Sequence, residues 1–139
     1  MLTVTLDSNI YVSALGFGGL PMRILQMAMD GDIRIASSPF IQGDVLRILR
    51  VKLRWDEDRV NAAGILIVSL TVPASGSLLG KVDAVRDDPT DNRVLECALE
   101  SGSQLVITGD KHLLRIGEYA GVGIIRAADF LQRSGERVG

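Results

Sequence analysis

Four aspartates have positions at which a solvated surface acid is not expected. They are Asp7, Asp44, Asp91 and Asp110. Asp7 directly follows the apolar run Leu2–Leu6, and Asp110 follows a second apolar run. Acids in such places lie at the edge where open α/β sheets bind ligands. Asp44 and Asp91 fall within the apolar stripes of two predicted helices. The four positions therefore predict one acidic pocket.

An acidic pocket of this kind predicts a bound divalent cation. A carboxylate that faces a core is costly unless it is paired, protonated or bound to a cation. Two carboxylates at ~4 Å repel each other by about 4 kcal/mol at an effective dielectric of 20. Oxygen ligands select Mg²⁺ or Mn²⁺, and the single cysteine and single histidine provide no zinc site. Such ions suit phosphoryl chemistry.

Helix capping is the structural alternative for three of these acids. Asp7 and Asp110 each precede a predicted helix, where aspartate is a favoured cap. Asp91 lies in the first turn of a helix that Asp88 and Pro89 begin, so the helix dipole alone favours an acid there. Asp44 adjoins Gln42-Gly43, which would expose it. Each alternative explains one acid, whereas a metal pocket explains all four.

The elements that position these acids alternate between strands and helices, which predicts a mainly parallel sheet in a three-layer α/β/α sandwich. The predicted strands are Leu2–Leu6, Ile33–Ala36, Leu70–Pro73, Gln104–Thr108 and Val122–Ile125. The predicted helices are Ser8–Leu15, Pro21–Met29, Pro39–Val51, Asp56–Val68, Pro89–Glu100, Lys111–Ile116 and Ala127–Arg133. Residues 74–86 are expected to form a loop.

Composition predicts one globular domain over residues 1–139. The chain is 47% apolar and 23% charged, which excludes a disordered protein. Its net charge of −2 argues against permanent binding to nucleic acid through bulk charge. The one cysteine, Cys97, fits a reducing cytoplasm. We expect neither a secretory signal nor a membrane span.

The order of the motifs resembles the PIN-domain family of metal-dependent ribonucleases, in its toxin-like, VapC-type branch of prokaryotic toxin–antitoxin systems. The resembling segments are Leu6–Ala14, Ser38–Phe40 with Asp44–Leu46, Asp88–Asn92 with Leu95 and Ala98, Val106–Leu114, and Ile124–Leu131. They extend over nearly the whole chain. The first four of these segments, in this order, form a fairly specific signature.

The resemblance implies metal-binding and catalytic roles for Asp7, Asp91 and Asp110, and for Asp44, where the family most often has glutamate. Some members carry a further acid where this chain has His112, so one firmly held ion and one loosely held ion are expected. Side chains that would orient the carboxylates or water are Asn9, Asn92 and Thr108.

The resemblance also implies an activity and partners. The activity is Mg²⁺- or Mn²⁺-dependent cleavage of RNA by metal-activated water, leaving a 5′-phosphate and a 3′-hydroxyl. The expected partners are a small antitoxin protein and a second copy of the chain, with Pro21–Met29 and Asp56–Val68 as candidate dimer helices. The alternative is a non-catalytic PIN-type scaffold that binds RNA or protein.

Candidate RNA contacts are Lys111, Arg47 and Arg50, whose charges would hold phosphates. For the two arginines, a solvated helix face balanced by Asp56–Asp58 is the alternative. Two other acid-pocket folds fit less well. A phosphoacceptor receiver domain needs paired acids after its first strand, and an aspartate-nucleophile phosphatase needs a second aspartate at the position of Asn9.

Overall fold

A single six-stranded sheet organises the computed structural model, which describes residues 1–86 and 88–138 and the side chains as far as residue 135. The strands are β1 (Thr3–Leu6), β2 (Arg34–Ser37), β3 (Thr71–Pro73), β4 (Leu105–Ile107), β5 (Glu118–Tyr119) and β6 (Val122–Ile125). Their order is β3-β2-β1-β4-β6-β5, and all neighbours are parallel except β5 and β6. The predicted α/β class with a mainly parallel sheet is confirmed.

Seven helices connect or follow these strands within the described residues. They are α1 (Ser8–Phe17), α2 (Gly19–Met29), α3 (Pro39–Val51), α4 (Glu57–Leu70), α5 (Pro89–Ser101), α6 (Lys111–Ile116) and α7 (Ala127–Val138). Local capping fixes several ends. Ser38 Oγ accepts from the amide of Ile41 at 3.2 Å to begin α3, and Gly102, with φ of 68°, ends α5.

The direction of the chain across the sheet changes between β1 and β4. From β1 the chain passes to β2 and β3, and α5 then brings it back to β4 on the other side of β1. Right-handed crossovers therefore place α1 to α4 on one face and α5 on the other. The contacts between elements agree with this arrangement: α1 contacts α2 and α3, and α5 contacts β1, β2 and β4. The carboxyl ends of β1 and β4 form a topological switch point, the usual ligand-binding position in such sheets.

The core lies between the sheet and its helices. The strands supply Leu6, Ile35 and Ile107, all fully buried, because a parallel sheet is covered on both faces. Helices add Tyr11 and Leu95. None of the helices in the described part of the chain combines the length and hydrophobicity that a bilayer crossing requires.

Several element boundaries differ from the sequence prediction; Leu70, for example, ends α4 and does not begin β3. Helix α1 continues through Gly16 and ends at Phe17. At Gly16 the helix packs closely against Leu53, because an added Cβ would lie 3.2 Å from Leu53 Cδ1. Helix α7 extends beyond Arg133 to Val138. Strand β5 was not predicted. It pairs with β6 across Ala120 and Gly121, whose φ values of 50° and 87° suit a two-residue hairpin turn. As predicted, residues 74–86 contain no helix or strand.

Candidate functional site

The carboxyl ends of β1 and β4 bring Asp7 next to Thr108. The strands pair in register, with Leu6 opposite Ile107, and the amide of Asp7 donates to the carbonyl oxygen of Ile107 at 3.0 Å. The Thr108 hydroxyl donates to Asp7 Oδ2 at 2.8 Å, and the hydroxyl oxygen accepts from the amide of Asp110 at 2.9 Å. Thr108 thus links the two acids predicted at the strand ends.

Asp110 begins α6 as its N-terminal cap. Its Oδ1 accepts from the amide of His112 at 2.7 Å and from that of Leu113 at 3.3 Å. The capping alternative for Asp110 is therefore correct, and it fixes the carboxylate at the switch point. Asp7 also stands at a helix N-cap, but its side chain makes no capping hydrogen bond.

The N-terminus of α5 contributes two more acids. Asp88 caps the helix by accepting from the amide of Thr90 at 3.2 Å, and it also accepts from the Thr90 hydroxyl. Asp91, one turn further, is 4% exposed, and its Oδ2 has no hydrogen-bond partner among the described residues. One carboxylate oxygen from each of Asp88, Asp91 and Asp110 lies within 4.8 Å of the others. These three residues form the acid cluster.

Burial and mutual repulsion favour protonation in this region. The pKa of Asp91 is raised to about 8, first by burial and then by the negative charges of Asp110, Asp88 and Asp7. Burial likewise raises the pKa of Asp7, and the charges of Asp110 and Asp44 add to the increase. The hydrogen bond from Thr108 opposes these effects by stabilising the ionised form of Asp7.

The donor set fits a hard divalent cation. All three cluster residues offer carboxylate oxygens, which Mg²⁺ and Mn²⁺ prefer. The unpartnered Oδ2 of Asp91 is a buried polar atom that a cation would satisfy. A cation would also replace the proton that the raised pKa of Asp91 indicates.

Asp44 lies at the margin of the site. It is on α3, its side chain is 20% exposed, and its Oδ1 accepts from Nη2 of Arg47 at 2.7 Å. Its charge nevertheless contributes to the raised pKa of Asp7. Among the described residues, neither Asp44 nor Asp7 belongs to the group within 4.8 Å.

The remaining residues singled out in the sequence have diverse contacts. Asn9 is exposed, and so is Lys111 beside Asp110. Asn92 is buried, and its side chain binds backbone groups of residues 84 and 85 instead of an acid. Arg50 binds both carboxylate oxygens of Glu57, at 2.6 and 3.1 Å.

Sequence reasoning missed two acids, one at the N-cap of α5 and one within the helix. Asp88 was interpreted only as a cap, although its spacing of three residues from Asp91 places both on one side of the first turn. Glu96 was not considered, and it is 2% exposed. Its Oε2 accepts from the amide of Val82 at 3.0 Å and pairs with Arg93 Nη2 at 3.0 Å. Its position between Leu95 and Cys97, inside an apolar stretch, could have indicated that Glu96 is buried.

One face of α5 holds the loop of residues 74–86 through side chains spaced four residues apart. Asn92 Oδ1 accepts from the amides of Ala84 and Val85 at 3.0 and 2.9 Å. Glu96 binds the amide of Val82, and Glu100 Oε2 accepts from that of Leu78 at 2.7 Å. The loop is thereby tied to the helix that carries Asp91.

Comparison with known proteins identifies the family. A chain of the crystal structure of VapBC2 from Rickettsia felis bound to a DNA fragment from their promoter has the same fold, with a TM-score of 0.61, 13% sequence identity, and coverage of 90% of this chain and 98% of that chain. No curated protein sequence matches. The family model described as PIN domain matches residues 3–112, which include the switch point and the acid cluster. The chain belongs to the PIN domain family.

Proposed function

We propose that this protein is a Mg²⁺- or Mn²⁺-dependent endoribonuclease. The observation that carries the proposal is the Asp91 carboxyl group, which is buried, has an unpartnered Oδ2 and a raised pKa, and lies beside Asp88 and Asp110. Such a costly arrangement is typical of a functional site. Membership in the PIN domain family supports phosphodiester hydrolysis as the reaction.

The protein's own residues would hold the ion and orient the substrate. Asp88, Asp91 and Asp110 would bind it, and Asp7, whose carboxylate accepts a hydrogen bond from Thr108, would lie beside them. A bound Mg²⁺ or Mn²⁺ supplies a water of lowered pKa and neutralises charge that develops on the phosphate. Asp7 and Asp44 would act at the margin of the site, by orienting that water or by binding a second, weaker ion.

We further propose that the chain is the toxin of a toxin–antitoxin pair. Its likeness in fold to a chain of VapBC2 supports a small antitoxin protein as partner and the cytoplasm as location. A second copy would dock on α4, which exposes Ile65 and Val68. These side chains line an open apolar groove of about 750 Å³ with Leu46 of α3. Exposed apolar surface of this kind favours a protein contact.

A non-catalytic PIN-type scaffold is the second candidate. The ion pairs of Arg47 and Arg50 leave α3 without an unpaired arginine for RNA, which favours a scaffold that binds protein. The acid cluster favours the nuclease, because a scaffold gains nothing from a buried carboxyl group with an unpartnered oxygen beside two other acids.

Cleavage of a labelled single-stranded RNA by the purified chain tests the proposal. We expect cleavage with Mn²⁺ and none with EDTA. Asp7→Asn, Asp91→Asn and Asp110→Asn should each reduce the rate by about 100-fold or more. Asp32→Asn, which changes an exposed acid on the α2–β2 loop, is the matched control and should retain full activity. Cleavage that survives all three substitutions, or no cleavage by the wild-type chain, would overturn the proposal.

A further inference from the structure

A basic pocket lies next to the acid cluster. It is a shallow cavity of about 150 Å³, and its lining includes Arg86, His112 and Arg115. His112 connects the two places directly, because its backbone amide donates to Oδ1 of Asp110 at 2.7 Å. We call Arg86, His112 and Arg115 the basic pocket.

The two arginines of the basic pocket have no other electrostatic role in the described part of the chain. Neither Arg86 nor Arg115 forms an ion pair or a side-chain hydrogen bond with a described residue. Arg47 and Arg50, the arginines expected from sequence to bind RNA, are instead paired with Asp44 and Glu57. Among the described residues, the basic pocket therefore offers two guanidinium groups that need not leave an ion-pair partner to bind an anion.

Each element that carries a basic side chain is anchored to a residue of the acid cluster or its neighbour. Three hydrogen bonds, of 2.8 to 3.0 Å, tie residues 84 and 85 to Asn92, so the backbone before Arg86 is held by the residue that follows Asp91. Asp110 caps α6, which carries His112 and Arg115. The acid cluster and the basic pocket are thus held by the same two helices, α5 and α6, which fix their relative positions.

We propose that Arg86 and Arg115, together with His112, form a subsite for a backbone phosphate of RNA adjacent to the one that is cleaved. Guanidinium groups match phosphate geometry with paired hydrogen bonds. Adjacent phosphates of one strand would then lie at the acid cluster and at the basic pocket. The subsite rests on the proposed function, since it names a contact of the same substrate.

Binding of RNA without cleavage tests the subsite. In the Asp7→Asn background with Mn²⁺, anisotropy of a short, labelled single-stranded RNA of mixed sequence gives the dissociation constant over a range of NaCl concentrations. Arg86→Ala/Arg115→Ala should raise it about tenfold, which equals about 1.4 kcal/mol. The logarithmic salt slope should fall by about 0.7 for each phosphate that the protein no longer neutralises.

Two matched variants sharpen the result. Arg34→Ala/Arg133→Ala removes the same charge from the amino-terminal edge of the sheet, where Arg34 begins β2 and Arg133 lines a cavity with Leu2. This control should bind RNA as the Asp7→Asn protein does. Arg86→Lys/Arg115→Lys should keep most of the salt slope because it keeps the charge. Equal weakening in the alanine variant and the control, or no RNA binding at all, would overturn the subsite.

Single-turnover cleavage by the same variants, made without the Asp7→Asn change, separates the two proposals. Metal-dependent cleavage in which the alanine variant matches the control would retain the ribonuclease and remove the subsite. RNA binding that depends on Arg86 and Arg115, without metal-dependent cleavage by the wild-type chain, would retain the subsite and overturn the ribonuclease. If both proposals hold, the alanine variant should cleave more slowly at low RNA concentration, with less effect at saturation.

Discussion

The Thr108 hydroxyl donates a 2.8 Å hydrogen bond to Oδ2 of Asp7, joining the ends of two strands that are 101 residues apart in the chain. Its oxygen also accepts from the amide of Asp110. One buried hydroxyl therefore serves both the carboxylate after β1 and the turn after β4. The position requires a donor and an acceptor in a side chain small enough for a fully buried place.

Replacing Thr108 with valine keeps the shape and removes both hydrogen bonds. We expect the free energy of unfolding to fall by about 1–3 kcal/mol, because buried polar groups lose their partners. Mn²⁺ affinity should fall by about 10–100-fold, since Asp7 is no longer oriented. Urea denaturation and calorimetric titration measure the two effects. Thr108→Ser, which keeps the hydroxyl, should lie close to wild type, and a valine variant with wild-type Mn²⁺ affinity would refute the orienting role.

Asp91→Asn should stabilise the metal-free protein at neutral pH and above. The pKa of Asp91 is raised from 3.8 to about 8, so the folded state binds an extra proton between these values. The contribution of Asp91 to the free energy of unfolding consequently falls as pH rises across this window. Asparagine does not titrate, so the variant does not lose this stability. Thermal denaturation in EDTA should show little gain at pH 4 and the largest gain near pH 8. A gain at every pH, or the same gain in Asp32→Asn, would contradict the titration of Asp91.

Divalent ions should stabilise the folded chain more at pH 8 than at pH 6. A bound ion requires ionised ligands, and the raised pKa of Asp91 means that a proton must leave first. Affinity should thus rise by up to about tenfold per pH unit below pH 8, for one released proton. The shift in melting temperature on adding Mn²⁺ measures this. Equal shifts at both pH values, or a wild-type shift in Asp91→Asn, would place the ion elsewhere.

Glu96→Ala should loosen the loop of residues 74–86. The change leaves the amide of Val82 and the guanidinium of Arg93 without their shared partner, Oε2. Because Arg93 is partly exposed, the loss of these two partners should cost roughly 1–3 kcal/mol. Denaturation should report the loss, and hydrogen exchange should show faster exchange at Val82. Glu96→Gln keeps an acceptor for that amide and should lose less protection. Unchanged exchange at Val82 in the alanine variant would mean that this hydrogen bond does not hold the loop.

Local pattern was sufficient to predict the elements next to the acids. The apolar runs before Asp7 and Asp110 predicted β1 and β4, because strands of a covered parallel sheet are continuously hydrophobic. The Asp88-Pro89 pair correctly predicted the start of α5. Strand β5 was missed because its turn, Ala120-Gly121, lacks the asparagine or aspartate that usually signals a two-residue hairpin.

Spacing predicted only some of the side-chain partners. Asn92 follows Asp91 directly, yet on a helix adjacent residues point in different directions, and it binds the loop instead of the acids. Arg50, by contrast, binds Glu57, one of the acids at Asp56–Asp58 that the alternative interpretation set against the arginines, and the pair forms where α3 packs against α4. The acid cluster likewise forms only because the crossover through α5 brings Asp88 and Asp91 near Asp110 after β4. The membership of Asp88 in the cluster therefore could not be predicted without the topology.

The spacing of Asn92, Glu96 and Glu100 along α5 has a practical consequence for protein engineering. These side chains fasten the loop at separate amides, and the exposed residues Leu79–Lys81 lie between the fastening points at Leu78 and Val82. A fluorescent or spin label attached there would be held by hydrogen bonds on both sides. It would thus report the position of the loop relative to α5 from outside the site itself.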